Sequence, residues 1–270
     1  MVASSERLKS TVRGAVALFA LGMLGVAALA VYSVPSLREI PELAILSYPT
    51  LVLLASINST ILLIAFVLLG SVSAPRIGLT SHVYSWASGS PTEWGAFRAS
   101  LPLAAALGIG LFVAVAILDV AFAPFTQLPV DETITETAAL NTLLASVPMR
   151  LLYGGITEEI LLRWGVMAPV AFAIWWIRNR LGDDRKEPSD ATMWAAIIVS
   201  AVLFGIGHLP ALASTVGLTT QLIVRTVLLN ALVGIALGWL FWRRSLEAAM
   251  VAHAMFHVAL VAVSVVLIWL

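Results

Sequence analysis

GGITEEILLRWG, residues 154–165, sets two glutamates side by side and an arginine four positions after the second, inside a run, 155–178, that is otherwise almost wholly apolar. A charged side chain at mid-bilayer costs about 2.5–3.5 kcal/mol even on the mildest scale, so three of them within six residues need partners. The rest of the chain says which solvent surrounds them. Of 270 residues, 60% are hydrophobic and 11% charged, against roughly 25% charged in a soluble domain, and mean hydropathy is +1.00. The fold class this implies is all-α, a polytopic membrane helical bundle. Net charge is zero with no basic block, so nothing in the composition points to a nucleic-acid partner and none is expected. The absence of cysteine removes disulfides, thiolate zinc sites, iron–sulfur clusters and a cysteine nucleophile, and says nothing of compartment.

Stretches long enough to cross a ~30 Å hydrocarbon core lie at 14–34, 48–72, 97–122, 155–178, 191–208, 216–242 and 246–270, which predicts seven spans. The first follows Arg7, Lys9 and Arg13, as a signal peptide would. Its 21 residues exceed the roughly 7–15 of a cleaved core, so it reads as a retained span despite the Ala28-Leu29-Ala30 triplet. The apolar stretch 138–153 is short and joined directly to the glutamate helix, which suggests a re-entrant or tilted lead-in, with an eighth span as the alternative.

Lysine and arginine, which gather on the cytoplasmic side, test the count. With the N-terminus inside, the inner set is Arg7, Lys9, Arg13, Arg76, Arg98, Arg178, Arg180, Arg185, Lys186, Arg243 and Arg244, and the outer loops hold only Arg38. The loop 123–137, with Asp131, Glu132 and Glu136, falls outside. An eighth span would invert the later loops. Residues 73–96, with Tyr84, Trp86 and Trp94, read as an interfacial stretch in which His82 is a solvated histidine. No repeat is visible, and residues 1–270 read as one transmembrane domain whose chemistry-bearing core is about 138–270.

The ionisable residues inside spans are Asp119, Arg150, Glu158, Glu159, Arg163, His208, Arg225, His253 and His257. Asp119 and Arg225 lie near span ends, where snorkelling accounts for them. On a helix Glu159 and Arg163 share a face and pair, while Glu158 is turned about 100° away and is left to face a cavity, as a general base must. The alternative is a structural Glu–Glu–Arg cluster. Phe204 and His208 share a face, and Gly205 and Gly207 thin that helix so another backbone can approach. His253 and His257 stand one turn apart. Three of the chain's four histidines thus fall in two spans beside the glutamate span. Helical rise puts Glu158 ~30 Å from Arg178 and His208 ~25 Å into its span, both in the outer half, with His253 and His257 ~13 and ~20 Å past Arg244, so that tilt brings His257 toward their level.

These stretches resemble the CAAX protease and bacteriocin-processing (CPBP, or Abi) family of intramembrane proteases, which includes lysostaphin-resistance-like proteins. The resemblance rests on Glu158-Glu159-Ile160-Leu161-Leu162-Arg163, Phe204-Gly205-Ile206-Gly207-His208 and His253-Ala254-Met255-Phe256-His257 and covers residues 154–257. The third motif departs from the family pattern, which ends in Asn or Asp. The resemblance implies hydrolysis of a peptide bond at the membrane by a glutamate-dependent or metal-dependent protease. Carried over, Glu158 is the general base, His208 orients the water, His253 donates to the oxyanion, and Glu159, Arg163 and Phe204 are supporting residues. His257 adds a His-x-x-x-His pair able to chelate zinc, so Glu158, His208, His253 and His257 form a candidate tetrahedral metal site. A neutral His257 can equally donate a hydrogen bond as Asn does.

The implied partners are membrane lipids and a membrane-associated peptide or protein substrate, in a bacterial or archaeal plasma membrane. Substrate identity and oligomeric state are not written in the sequence. The charge-based topology opens the site outward, whereas relatives that trim prenylated proteins work on the cytosolic face. Two other readings compete: a non-catalytic scaffold of the same fold, and an ion- or proton-coupled transporter. Crowding of the polar residues into one half counts against the transporter, whose repeats place broken helices in both halves.

Overall fold

The computed structural model describes residues 2–126 and 135–270, so Asp131 and Glu132 of the acidic loop lie outside the described residues. Helices follow one another as α1 (Val2–Arg38), α2 (Pro41–Ala44), α3 (Tyr48–Ser73), α4 (His82–Ser88), α5 (Trp94–Thr126), α6 (Glu136–Met149), α7 (Ala168–Arg180), α8 (Asp190–Gly207), α9 (Leu209–Ala213), α10 (Thr220–Arg243) and α11 (Leu246–Ile268). Between α6 and α7 the chain stays helical through two π-helical segments, Arg150–Thr157 and Ile160–Met167. Among the described residues seven helices are long and apolar enough to cross a membrane, and each predicted span lies on one of them, with 216–242 beginning before Thr220 and 246–270 running past Ile268.

The stretch 138–153 is neither re-entrant nor an eighth span. It is the opening of a single 45-residue helix, Glu136–Arg180, far longer than the ~20 residues an upright crossing needs. This helix is the hub of the bundle. Thr157 Oγ1 donates to the Gly22 carbonyl of α1 at 2.7 Å, and Trp164, fully buried, reaches Ser71 Oγ of α3 at 3.4 Å. Ser200 of α8 donates to the Leu162 carbonyl at 2.8 Å. Without a hydrophobic drive between helices in lipid, such close contacts and interhelical hydrogen bonds hold the bundle together.

The ends that carry basic residues gather at one end. Ser10 of α1 donates to the Ser88 carbonyl of α4 at 2.6 Å, the Leu246 amide donates to the Thr80 carbonyl at 3.0 Å, and Arg243 lies 3.7 Å from Asp190. The short α7–α8 loop turns on Gly182, whose φ of 97° suits a residue without Cβ. In that loop Arg178 and Arg185 donate to Asp183 at 2.8 and 2.9 Å. Hydrogen bonds from Arg185 and Arg178 hold the Asp183 carboxyl below the usual carboxylate range.

Three expectations are corrected here. His82 is not solvated: it is 4% exposed and lies beside Trp94 and Phe97, because the short helix α4 folds back onto the bundle end. Tyr84 is buried against Trp164, while Trp86 and Trp94 remain exposed as interfacial residues should. Asp119 and Arg225 do not snorkel separately, since Arg225 Nε donates to Asp119 Oδ1 at 2.6 Å and ties α5 to α10. A pair 106 positions apart in sequence leaves no local signal.

Candidate active site

The site forms where the π-helical part of the long helix meets α8 and α11. Pro148 and Pro169, which lack an amide donor, bracket this stretch. Within it the Glu158 amide bonds the Tyr153 carbonyl and the Ala168 amide the Arg163 carbonyl, each five residues back. Such widened turns are rare and frequent at functional sites. Thr157 Oγ1 also lies 3.3 Å from the Leu152 carbonyl, five residues back.

Two glycines that the motif reading passed over let α11 in. A Cβ on Gly154 would stand 2.6 Å from His257 Nε2, and one on Gly155 would stand 3.1 Å from Ala254 Cβ. Because Gly154 faces His257 while Glu158 faces His253, the two helices run antiparallel. The register is therefore one turn away from the sequence estimate: His253, not His257, reaches the glutamates. Counting from Arg178 does not fix the depth of Glu158, because a 45-residue helix is longer than an upright crossing needs. On α8, Gly205 meets the Val227 backbone of α10, as expected, but Gly207 has nothing within 4 Å and serves no close approach.

Glu159 and Glu158 have opposite environments. Glu159 is fully buried, with Oε2 3.1 Å from Arg163 Nε, an ion-pair contact whose angle is too poor for a hydrogen bond. Its Oε1 lies 2.9 Å from His253 Nδ1. Glu158, whose side chain is 18% exposed, stands with Oε2 4.0 Å from His253 Nε2. That separation is too long for a direct hydrogen bond and within the span of one bridging water.

Hydrogen bonding fixes the histidine tautomers. At the end of α8 the His208 amide bonds the Gly205 carbonyl at 3.2 Å, tightening the last turn. The Phe204 carbonyl is thereby free to accept from His208 Nδ1 at 2.8 Å. A carbonyl only accepts, so Nδ1 carries the proton and neutral His208 presents a bare Nε2. His253 Nδ1 likewise donates to the Glu159 carboxylate, leaving Nε2 bare. It can donate to an oxyanion only with a second proton, for which Glu159 supplies the counter-charge. Phe204 binds these parts together: its ring centroid lies 4.7 Å from that of His208 and 5.8 Å from that of His253, and the Arg163 guanidinium sits 5.1 Å from it.

His257 stacks on His253 with centroids 5.0 Å apart and planes 23° from parallel, and its Nδ1 is buried without a partner. A metal lies in the plane of each imidazole ligand, so two nearly parallel stacked rings do not aim their nitrogens at one ion. Among the described residues no three His, Asp or Glu side chains converge as a metal site. In this arrangement the four-ligand set of Glu158, His208, His253 and His257 does not fit zinc. Arg150, the remaining intramembrane cation, bonds through Nε to Ser146 Oγ at 2.8 Å.

The fold and the cluster thus define an all-helical membrane protein whose acidic and imidazole groups meet at the crossing of three segments. The family model described as type II CAAX prenyl endopeptidase Rce1-like matches residues 140–259, a segment that holds all three motifs. Over that segment the chain is similar to this family of CAAX-type intramembrane proteases. No curated protein and no solved structure matches the chain.

Proposed function

We propose that this chain is an intramembrane endopeptidase that hydrolyses a peptide bond of a membrane-associated protein or peptide. The observation that carries the reading is the division of labour between adjacent carboxylates: Glu159 is taken up by Arg163 and His253, and Glu158 is left partly open with its Oε2 4.0 Å from His253 Nε2. Glu158 takes a proton from a water that His208 Nε2 orients, and the water oxygen attacks the scissile carbonyl. His253, protonated at Nε2 and backed by Glu159, donates to the oxyanion that develops. Protonated Glu158 then delivers its proton to the leaving amine. Arg163 and Phe204 hold Glu159 and the two imidazoles in place, and no step passes through a metal. The setting is the plasma membrane of a bacterial or archaeal cell, with the basic end of the bundle and the N-terminus in the cytoplasm.

The test uses the purified full chain in proteoliposomes. A mixture of membrane-anchored peptides, including prenylated C-terminal peptides and transmembrane peptides, is incubated in ¹⁸O-labelled water and analysed by mass spectrometry. The expected result is a cleaved product with one ¹⁸O in its new carboxyl group, lost in Glu158→Gln. Unlabelled product, or equal product from the variant, contradicts the reading.

A further inference from the structure

A cavity with charged residues in its wall lies at the basic end of the bundle, apart from the glutamate–histidine cluster. It has a volume of about 520 Å³ and is lined by Thr80, His82, Glu93, Ser100, Arg243 and Arg244 together with small residues of α5. Three features distinguish it from an ordinary surface groove. The first is paired cations: Arg243 and Arg244 are both exposed and stand at the junction of α10 and α11. Arg243 is only loosely engaged, with Asp190 3.7 Å away and the Trp242 ring 3.7 Å below its guanidinium carbon. The second is His82, 4% exposed, with an Nδ1 that has no hydrogen-bond partner. A buried polar atom left unpaired is costly, and His82 is part of the cavity wall. The third is the start of α5, a 33-residue helix whose Trp94 amide bonds the Thr92 carbonyl and whose next two amides have no intrahelical carbonyl to bond.

The charge distribution selects the ligand. Two guanidiniums and a helix N-terminus favour a phosphate, while Glu93 on the same cavity calls for a hydrogen-bond donor close to that phosphate. Basic pockets between transmembrane helices on the cytoplasmic side are suited to lipid headgroups. We propose that this cavity binds the headgroup of a phospholipid whose phosphodiester carries a hydroxyl or ammonium donor. Its phosphate meets Arg243 and Arg244, and its donor meets Glu93. The bound headgroup bridges the start of α5 to the junction of α10 and α11, beyond which Glu247 accepts from Ser81 Oγ at 2.6 Å and from the Val83 amide at 3.0 Å and so anchors the start of α4, where His82 stands.

The experiment is native mass spectrometry of the full chain in neutral detergent, titrated separately with phosphatidylglycerol, phosphatidylethanolamine and phosphatidylcholine. The readout is binding, so it is independent of any peptidase activity. One molecule of phosphatidylglycerol or phosphatidylethanolamine is expected to bind, and phosphatidylcholine, which has no headgroup donor, is expected to bind far more weakly. The double variant Arg243→Gln/Arg244→Gln is expected to weaken binding roughly 30-fold. Glu93→Gln keeps phosphatidylglycerol, whose hydroxyls an amide oxygen still accepts, and weakens phosphatidylethanolamine, whose ammonium has lost its counter-charge. Free glycerophosphoglycerol is expected to compete in the unmodified chain, which keeps the test meaningful if the double variant does not fold. Equal binding of all three lipids, failure of the soluble headgroup to compete, or undiminished binding by a folded double variant overturns the proposal.

Discussion

Glu159 in the middle of the bundle and Glu247 at its basic end are both buried carboxylates, and each has a histidine close by in the fold. Their bonds go to different kinds of partner. Glu247 uses one oxygen for Ser81 Oγ and the Val83 amide, closing the start of α4 as a side chain caps any helix N-terminus. Its work ends at the backbone. Glu159 instead bonds the ring of His253, and in fixing Nδ1 it aims a second atom, Nε2, toward Glu158. The same residue type closes off a helix in one region and relays orientation in the other. Buried charge alone therefore does not mark an active site; what marks it is a fixed group that leaves an open neighbour.

The comparison can be broken at either carboxylate. Removing one partner of a buried ion pair strands the other, so Glu159→Gln and Arg163→Met are each expected to cost about 3–5 kcal/mol of stability. The double variant Glu159→Leu/Arg163→Met is expected to recover part of that loss, as thermal unfolding in detergent would read. Equal and additive losses would deny the pairing. Glu247→Gln keeps an acceptor and loses charge, so its expected cost is smaller, about 1–3 kcal/mol, with peptide cleavage retained in the folded fraction.

Gly154→Ala places a methyl group against His257 and is expected to destabilise by about 1–3 kcal/mol, whereas Gly207→Ala, which meets nothing within 4 Å, is expected to be tolerated. If both behave alike in thermal unfolding, close approach of α11 is not what Gly154 provides. The smallest effect belongs to the α7–α8 loop. Asp183 is held below its unfolded pKa, so its stabilising contribution is fully present above about pH 4 and is lost as pH falls through the lower folded value. The difference in Tm between the wild type and Asp183→Asn is expected to be constant above about pH 4 and to close below it.

Much of this was legible in the sequence, and the boundary has physical causes. Hydropathy gave the seven spans because lipid forces every crossing segment to be apolar and helical. The four-residue spacing of Glu159 and Arg163 survives because their ion pair lies within a single turn. The π-helical turns were not legible: they depend on how Thr157 meets Gly22 and how Gly154 and Gly155 meet α11, contacts that no local pattern encodes. The burial of His82 and the bond between Ser81 and Glu247, 166 positions apart, were hidden for the same reason. The tautomer of His208 depends on a tightened final turn of α8 that only the backbone reveals.

The central claim is that Glu158, and not its neighbour, is the group that activates water. Its most direct test compares Glu158→Gln with the wild type in proteoliposomes, measuring the rate of peptide-bond cleavage and the Tm on the same preparations. A partly exposed base without a structural partner is expected to lose roughly 10²–10⁴-fold in rate with Tm unchanged. Cleavage at the wild-type rate, or a loss of rate that only follows a fall in Tm, would contradict the account.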